Sequence, residues 1–170
     1  MMADLDSLLS RHGIVAARHE HPAVMTVEES ERLVPPLPGA KTKNLFLRDK
    51  KARRFFLVTV AHDAATDLGA LGAALGAGRL SFASAEQLSS RLGIQAGSVS
   101  LLALVNDEAR SVEFVIDRVL WDAAAVHAHP LVNTATMVVS HPDLERFLAA
   151  TGHSPRVIDV PRSVRYRRPV

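Results

Sequence analysis

Cysteine is absent from this chain of 170 residues. That rules out a disulfide framework, a thiolate metal site and a cysteine nucleophile. No apolar run approaches the roughly 20 residues that a membrane-spanning helix needs. The first residues, Met1-Met2-Ala3-Asp4-Leu5-Asp6, lack the basic and long apolar regions of a secretory signal. The expectation is a cytoplasmic protein with no membrane partner. Several catalytic signatures are missing as well. Gly97-Ser98-Val99-Ser100 does not fit the G-x-S-x-G turn that strains a serine nucleophile into exposure. The glycine-rich stretch Gly69 to Gly78 is neither G-x-G-x-x-G nor a phosphate loop with its lysine. It reads as a helix that packs closely and then ends. There is no H-E-x-x-H pair, and His19, His21, His62, His127 and His129 are too scattered to supply three convergent ligands. No metal and no cofactor are expected.

What is present is an ordinary globular composition, 48% hydrophobic and 22% charged. With no repeat and no linker, residues 1–170 read as one domain, long enough to bury a core, with an Arg-rich C-terminal tail. The net charge is only +2, but it is unevenly spread. Residues 41–54 hold seven Lys/Arg against one acid, and residues 156–170 hold five Arg against one acid. Clustered charge suits a polyanion partner, because phosphate binding follows local and not net charge. Two solvated basic edges on an otherwise acidic protein are the alternative. Lys41, Lys50, Lys51, Arg53, Arg165, Arg167 and Arg168 are the candidate nucleic-acid contacts.

The order of elements points to an α/β (α+β) fold. Leu5, Leu8 and Leu9 recur at helical spacing before Gly13, predicting a helix over 4–12. Residues 15–20 read as extended. Thr26 and Glu29 form a capping box for a helix to about Leu33. A Pro/Gly turn at 35–39 precedes a hairpin of Asn44–Arg48 and Arg54–Val60. Asp67 and Ser84 cap two further helices. Leu101–Val105 and Val112–Ile116 read as strands joined by a turn at Asn106-Asp107-Glu108. Val126–Ala128, Thr134–Val139 and an edge strand at Val157–Val160 complete the set. Ser140, Pro142 and Asp143 open a last helix, 142–150, that Gly152 ends. Irregular interleaving with hairpins predicts a mixed, mostly antiparallel curved sheet with surrounding helices.

Two segments carry the chemistry. Lys41-Thr42-Lys43-Asn44-Leu45-Phe46-Leu47 places a lysine and an amide at the mouth of an apolar strand. His129-Pro130-Leu131-Val132-Asn133-Thr134 lies far downstream. Taken alone, Lys43 reads first as a solvated surface lysine, and His129 as a structural histidine. Hydrolysis of an activated ester needs a positioned water, charge stabilisation for the tetrahedral oxyanion and a grip on the leaving nucleotide. A lysine supplies a point charge for a phosphate or a carbonyl. Amides in a glycine loop can line an oxyanion.

Together these two segments resemble the YbaK-like, stand-alone prolyl-tRNA editing family, over roughly residues 5–160. Arg79-Leu80-Ser81-Phe82-Ala83-Ser84, Gly97-Ser98-Val99-Ser100 and Leu104-Val105-Asn106-Asp107 also look like family segments. The resemblance implies a trans-editing deacylase for mischarged Ala-tRNA(Pro), with Cys-tRNA(Pro) as the runner-up substrate. A non-catalytic tRNA or aminoacyl binder on the same fold is the rival. It implies Lys43 as the essential lysine, Asn44 beside it, and Gly97 and Ser98 in the loop lining the pocket. His129 would contact the aminoacyl-adenosine end, and the substrate's own ribose hydroxyl would replace a protein base. Mischarged tRNA(Pro), with prolyl-tRNA synthetase as a further partner, is what the resemblance implies for binding. One departure is Leu101, where the family loop G-x-x-x-P usually has proline, which fixes φ and removes a donor. Leucine there is expected to loosen the pocket wall or add bulk to it.

Overall fold

The computed structural model of the chain describes residues 4–163. Arg165, Arg167 and Arg168 therefore lie outside the described residues. Fourteen elements and one 3-10 turn run in the order α1 (Leu5–Arg11), β1 (Ala17–Glu20), α2 (Val27–Leu33), β2 (Thr42–Arg48), β3 (Phe55–Ala61), α3 (Leu68–Ala74) and β4 (Ser81–Phe82). After these come α4 (Ala85–Leu92), the 3-10 helix Leu101–Asn106, β5 (Val112–Asp117), α5 (Arg118–Trp121), β6 (Ala125–Ala128), β7 (Ala135–Ser140), α6 (His141–Thr151) and β8 (Arg156–Ile158).

The strands form a five-stranded sheet ordered β4-β2-β3-β5-β8 and a three-stranded sheet ordered β1-β7-β6. Pairing is antiparallel for β4–β2, β2–β3, β1–β7 and β7–β6, and parallel for β3–β5 and β5–β8. The expected mixed, mostly antiparallel architecture is what forms. The sheets meet where Ala40 bridges Val126 and the Thr42 hydroxyl donates to the His127 carbonyl at 2.7 Å. β3 is central and buried from Phe55 to Val60, as an apolar-on-both-faces strand should be. One face packs on the larger core around Phe46, Phe114 and Phe147. The other packs on α3 through Leu47, Phe56, Val58 and Leu71.

Local chemistry sets the helix ends. The Asp67 carboxylate accepts from Ala70 N, and Ser84 and Gln87 form a reciprocal capping box. Ser140 caps α6, which Gly152 ends in the left-handed region. At α2 the Thr26 hydroxyl accepts from Glu29 N, but the Glu29 carboxylate takes the Thr26 hydroxyl in place of its backbone amide. In α3 a Cβ at Gly72 would lie 1.8 Å from the Gly78 carbonyl oxygen, so the glycine-rich stretch does serve close packing.

Three expectations need correction. Leu101–Val105 is not a strand: it is a 3-10 helix, capped by the Ser100 hydroxyl on Leu102 N and buried on every side. A continuous apolar run has no period to distinguish strand from buried helix. The hairpin at 106–108 is likewise absent. Asp107 instead accepts from Ser111 N and Val112 N, which turns the chain so that β5 runs parallel to β3. Third, β2 begins at Thr42, so Lys43 sits inside the strand opposite Val60 and not before it. The short elements β4 and α5 carried too few residues for a sequence pattern.

Candidate functional site

A cleft of about 270 Å³ opens where the two sheets join. Its floor is the start of β2 with Lys41, Thr42, Lys43 and Asn44; its walls are Val24 to Val27 with Ser30, Gly97 and Val99, and His127 to His129 with Thr136. The fold thus gathers Lys41, Lys43, Asn44, Gly97 and His129 from three separate parts of the sequence. Ser98 does not line the cleft; its amide donates to Gln95 O at 3.1 Å, closing the turn beneath the wall. Lys50, Lys51 and Arg53 sit on the β2–β3 hairpin, seven or more residues along from Lys43, which at roughly 3.3 Å per residue is over 20 Å away.

Lys43 is half-buried at the head of β2. Removal from water pushes its pKa below the usual 10.5, and the Asp63 carboxylate nearby partly offsets that. His129 lies deeper. Its Nδ1 donates to Ala135 O at 2.9 Å, which fixes the tautomer and leaves Nε2 as an acceptor. Burial lowers its pKa, the Ala135 carbonyl opposes this, and His21 and His127 add to the lowering. The ring is therefore neutral near pH 7. His21 stands edge-on to it at 6.3 Å, held by Pro22 O and the Thr136 hydroxyl at 2.8 Å each. His127 is a structural hub: its Nε2 meets Pro38 O at 2.8 Å, and its amide and carbonyl bind Ala40 and Thr42.

Asn44 has both ends of its amide engaged. Oδ1 accepts from the fully buried Thr59 hydroxyl at 2.6 Å, and Nδ2 donates to Val99 O at 3.4 Å. This ties the β2–β3 pair to the Gly97–Val99 wall, leaving one Nδ2 hydrogen for the cleft. Gly97 has φ +90°, and a Cβ there would come within 2.7 Å of the Met25 sulfur and methyl. Met25 in turn accepts from Asn133 Nδ2 at 3.2 Å. Sequence reasoning missed Thr59, Met25 and the 24–30 wall. The α2 capping box located that helix, but no pattern could show that it borders a cleft, since α2 buries none of its residues.

Leu101 is fully buried in the larger core and absent from the cleft lining, contrary to the expectation that it shapes the pocket wall. It occupies the first position of the 3-10 helix, where a proline would fit without losing an internal hydrogen bond. Among the described residues no three His, Asp or Glu side chains gather where they could hold a metal ion.

A half-buried lysine, a neutral histidine and a glycine wall around a small cleft is an arrangement for polarising a carbonyl or gripping a phosphate. The chain belongs to the aminoacyl-tRNA editing domain family, which matches residues 21–147. Within that family it falls among the prolyl-tRNA editing, trans-editing domains. It is 45% identical over 157 residues to prolyl-tRNA synthetase associated domain-containing protein 1 of Danio rerio, across 91% of this chain and 85% of that protein. It is 37% identical over 160 residues to the prolyl-tRNA editing protein ProX of Acetoanaerobium sticklandii, across 94% and 95% of the two chains. The crystal structure of a candidate trans-editing enzyme for prolyl tRNA synthetase superposes with a TM-score of 0.68 at 23% identity, covering 94% and 95% of the chains, which shows the shared fold. The family resemblance drawn from the Lys43 and His129 segments is met.

Proposed function

We propose that this protein is a trans-editing deacylase that hydrolyses mischarged Ala-tRNA(Pro) to alanine and tRNA(Pro). The observation that carries the reading is the half-buried Lys43 sharing one cleft with Gly97 and His129. The Lys43 ammonium holds the terminal phosphate or the acyl carbonyl, and low local polarity strengthens that contact. His129 positions the aminoacyl-ribose end by accepting at Nε2. Water adds to the acyl carbonyl, the ester bond to the ribose oxygen breaks, and that oxygen takes up a proton. The adjacent ribose hydroxyl serves as the proton acceptor for the attacking water. Nothing in this sequence of steps calls for a metal.

The cleft's size supports a sieve. At about 270 Å³ it lies below the roughly 300–1,000 Å³ of ordinary ligand pockets, so it suits a ribose and a small acyl group. A synthetase site built for proline cannot strongly reject alanine, because each missing methylene is worth only about 1–3 kcal/mol. A second, smaller site corrects the error by excluding the ring.

The test is to incubate the protein with Ala-, Cys-, Ser- and Pro-charged tRNA(Pro) and follow loss of the ester. Alanine should be cleared about 5- to 150-fold faster than proline, since overpacking a ring costs about 1–3 kcal/mol even in a core. Equal hydrolysis of alanyl and prolyl esters would refute the sieve. Faster loss of the cysteinyl ester would reassign the substrate to Cys-tRNA(Pro), and no hydrolysis of any ester would leave a binding module.

A further inference from the structure

Of the six phenylalanines, Phe46, Phe55, Phe56, Phe114 and Phe147 are at most 4% exposed, whereas Phe82 is 61% exposed. It stands on β4, the two-residue edge strand of the larger sheet, opposite Leu47 of β2. Side chains alternate along a strand and register partners share a face, so Lys43, Leu45, Leu47 and Phe82 all belong to one face of the sheet. Beyond Phe82 lie four exposed cations: Arg79 just before β4, and Lys50, Lys51 and Arg53 on the hairpin that follows Arg48. Arg79, Lys50 and Lys51 make no ion pair among the described residues, while Arg53 lies near the Asp49 carboxylate. An exposed ring flanked by cations is the composition of a surface for single-stranded nucleic acid.

From this placement we infer that Phe82 is a stacking platform for a base of the unpaired 3′ segment of the tRNA, with Arg79 and the hairpin cations holding the phosphates that follow. The inference rests on the proposed tRNA substrate and adds a binding surface outside the cleft. The spacing agrees. Lys43 and Leu47 are four residues apart, about 14 Å along the strand at 3.4 Å per residue. A stacked strand covers that distance in about four nucleotides. With the ester at Lys43, the base that reaches Phe82 therefore belongs to the single-stranded end, and the duplex stem begins near the hairpin. The strand follows the edge of the sheet and not its face, because Leu47 is wholly buried beneath α3: the β4 segment bonds β2 only from Phe46 to Arg48, which leaves the start of β2 as the sheet's edge.

The experiment is titration with uncharged tRNA(Pro), either intact or trimmed of its unpaired 3′ nucleotides. Phe82→Ala should bind the intact tRNA about tenfold more weakly than the unmodified protein, the worth of one base–aromatic stack. Phe82→Trp should keep the affinity, and its indole fluorescence should be quenched by the intact tRNA. On trimmed tRNA the two proteins should bind alike. Equal affinity of Phe82→Ala and unmodified protein for intact tRNA would overturn the proposal. So would a loss that persists on trimmed tRNA, which would put Phe82 against the duplex, or a change in self-association alone. Because uncharged tRNA is the probe, a protein that binds it through Phe82 yet leaves every ester intact would sink the hydrolytic reading and spare this one.

Discussion

Replacing Lys43 with alanine is the most direct perturbation of the cleft, and its consequences for rate and for stability have opposite signs. Lys43 is half-buried, and loss of solvation already works against its charge. A hydrogen bond from such a charged group contributes about 1.5–3 kcal/mol. If that contact forms in the transition state, removing it lowers the deacylation rate by roughly 10- to 150-fold. Folding should not suffer. Among the described residues the side chain has no ion pair within 4 Å and no hydrogen bond to lose, and alanine removes a charge that burial disfavours. Thermal unfolding should therefore occur at an unchanged or slightly higher temperature, so lost activity could not be blamed on an unfolded protein.

The pH dependence follows from the same residue. In the proposed role Lys43 acts only while protonated. Its folded pKa lies below 10.5, so activity should fall on the alkaline side at a pH below that of an ordinary lysine. Because the unfolded chain holds this proton to higher pH than the folded one, the group's contribution to stability rises with pH between the two pKa values. Both the alkaline limb of the rate and this rise should vanish in Lys43→Ala. The assay is single-turnover loss of the alanyl ester from pH 6 upward, with spontaneous hydrolysis subtracted. Full activity in a folded Lys43→Ala protein would refute the reasoning.

Two further predictions concern the scaffold. Asp107 and His153 meet at 2.8 Å with side chains 3% and 2% exposed, joining the end of α6 to the start of β5. Burial alone would raise the Asp107 carboxyl, but hydrogen bonds from His153, Val112 and Ser111 together hold it below 3.8. Its stabilisation is thus present above the unfolded pKa and lost as pH falls through the folded one. Asp107→Asn should cost about 3 kcal/mol at neutral pH, measured by urea unfolding, with the gap closing below pH 3.8; a gap independent of pH would contradict the ionic origin. In α3, Gly72→Ala drives a Cβ to within 1.8 Å of backbone and should destabilise by about 1–3 kcal/mol. Gly69→Ala, with only Asp67 Oδ1 at 3.5 Å, should be neutral or stabilise by up to about 1 kcal/mol. Equal effects at the two positions would show that helix propensity and not packing governs this helix.

The legible parts of the fold were those written in local chemistry. Asp67, Ser84 and Ser140 cap helices because their short side chains reach an amide two or three residues on, and Gly93 and Gly152 end helices because φ is positive there. The Phe55–Val60 run announced a central strand by being apolar on both faces. What failed was set by long-range packing. Leu101–Val105 has the composition of a strand, yet Ser100 caps it as a 3-10 helix, and Asp107 redirects the chain through partners at 111, 112 and 153. No window of sequence contains those partners together.

The site divides in the same way, and the division bears on selectivity. The family resemblance nominated Lys43, Gly97 and His129, where residue type alone left Lys43 a solvated lysine and His129 a structural histidine. It could not show which groups hold them in place. Asn44 looks like a substrate contact in sequence, but much of its hydrogen-bonding capacity is spent between Thr59 and Val99, so it reads as a strut between β2 and the glycine wall. Leu101 looks like a wall residue, but its side chain is wholly within the core. The wall's position is therefore controlled from below by Asn44 and Thr59, and from above by Met25 lying where a side chain at 97 would be. A change of pocket size in this chain is more directly made at Met25, 61% exposed at the rim, than at the buried leucine where the usual proline is missing.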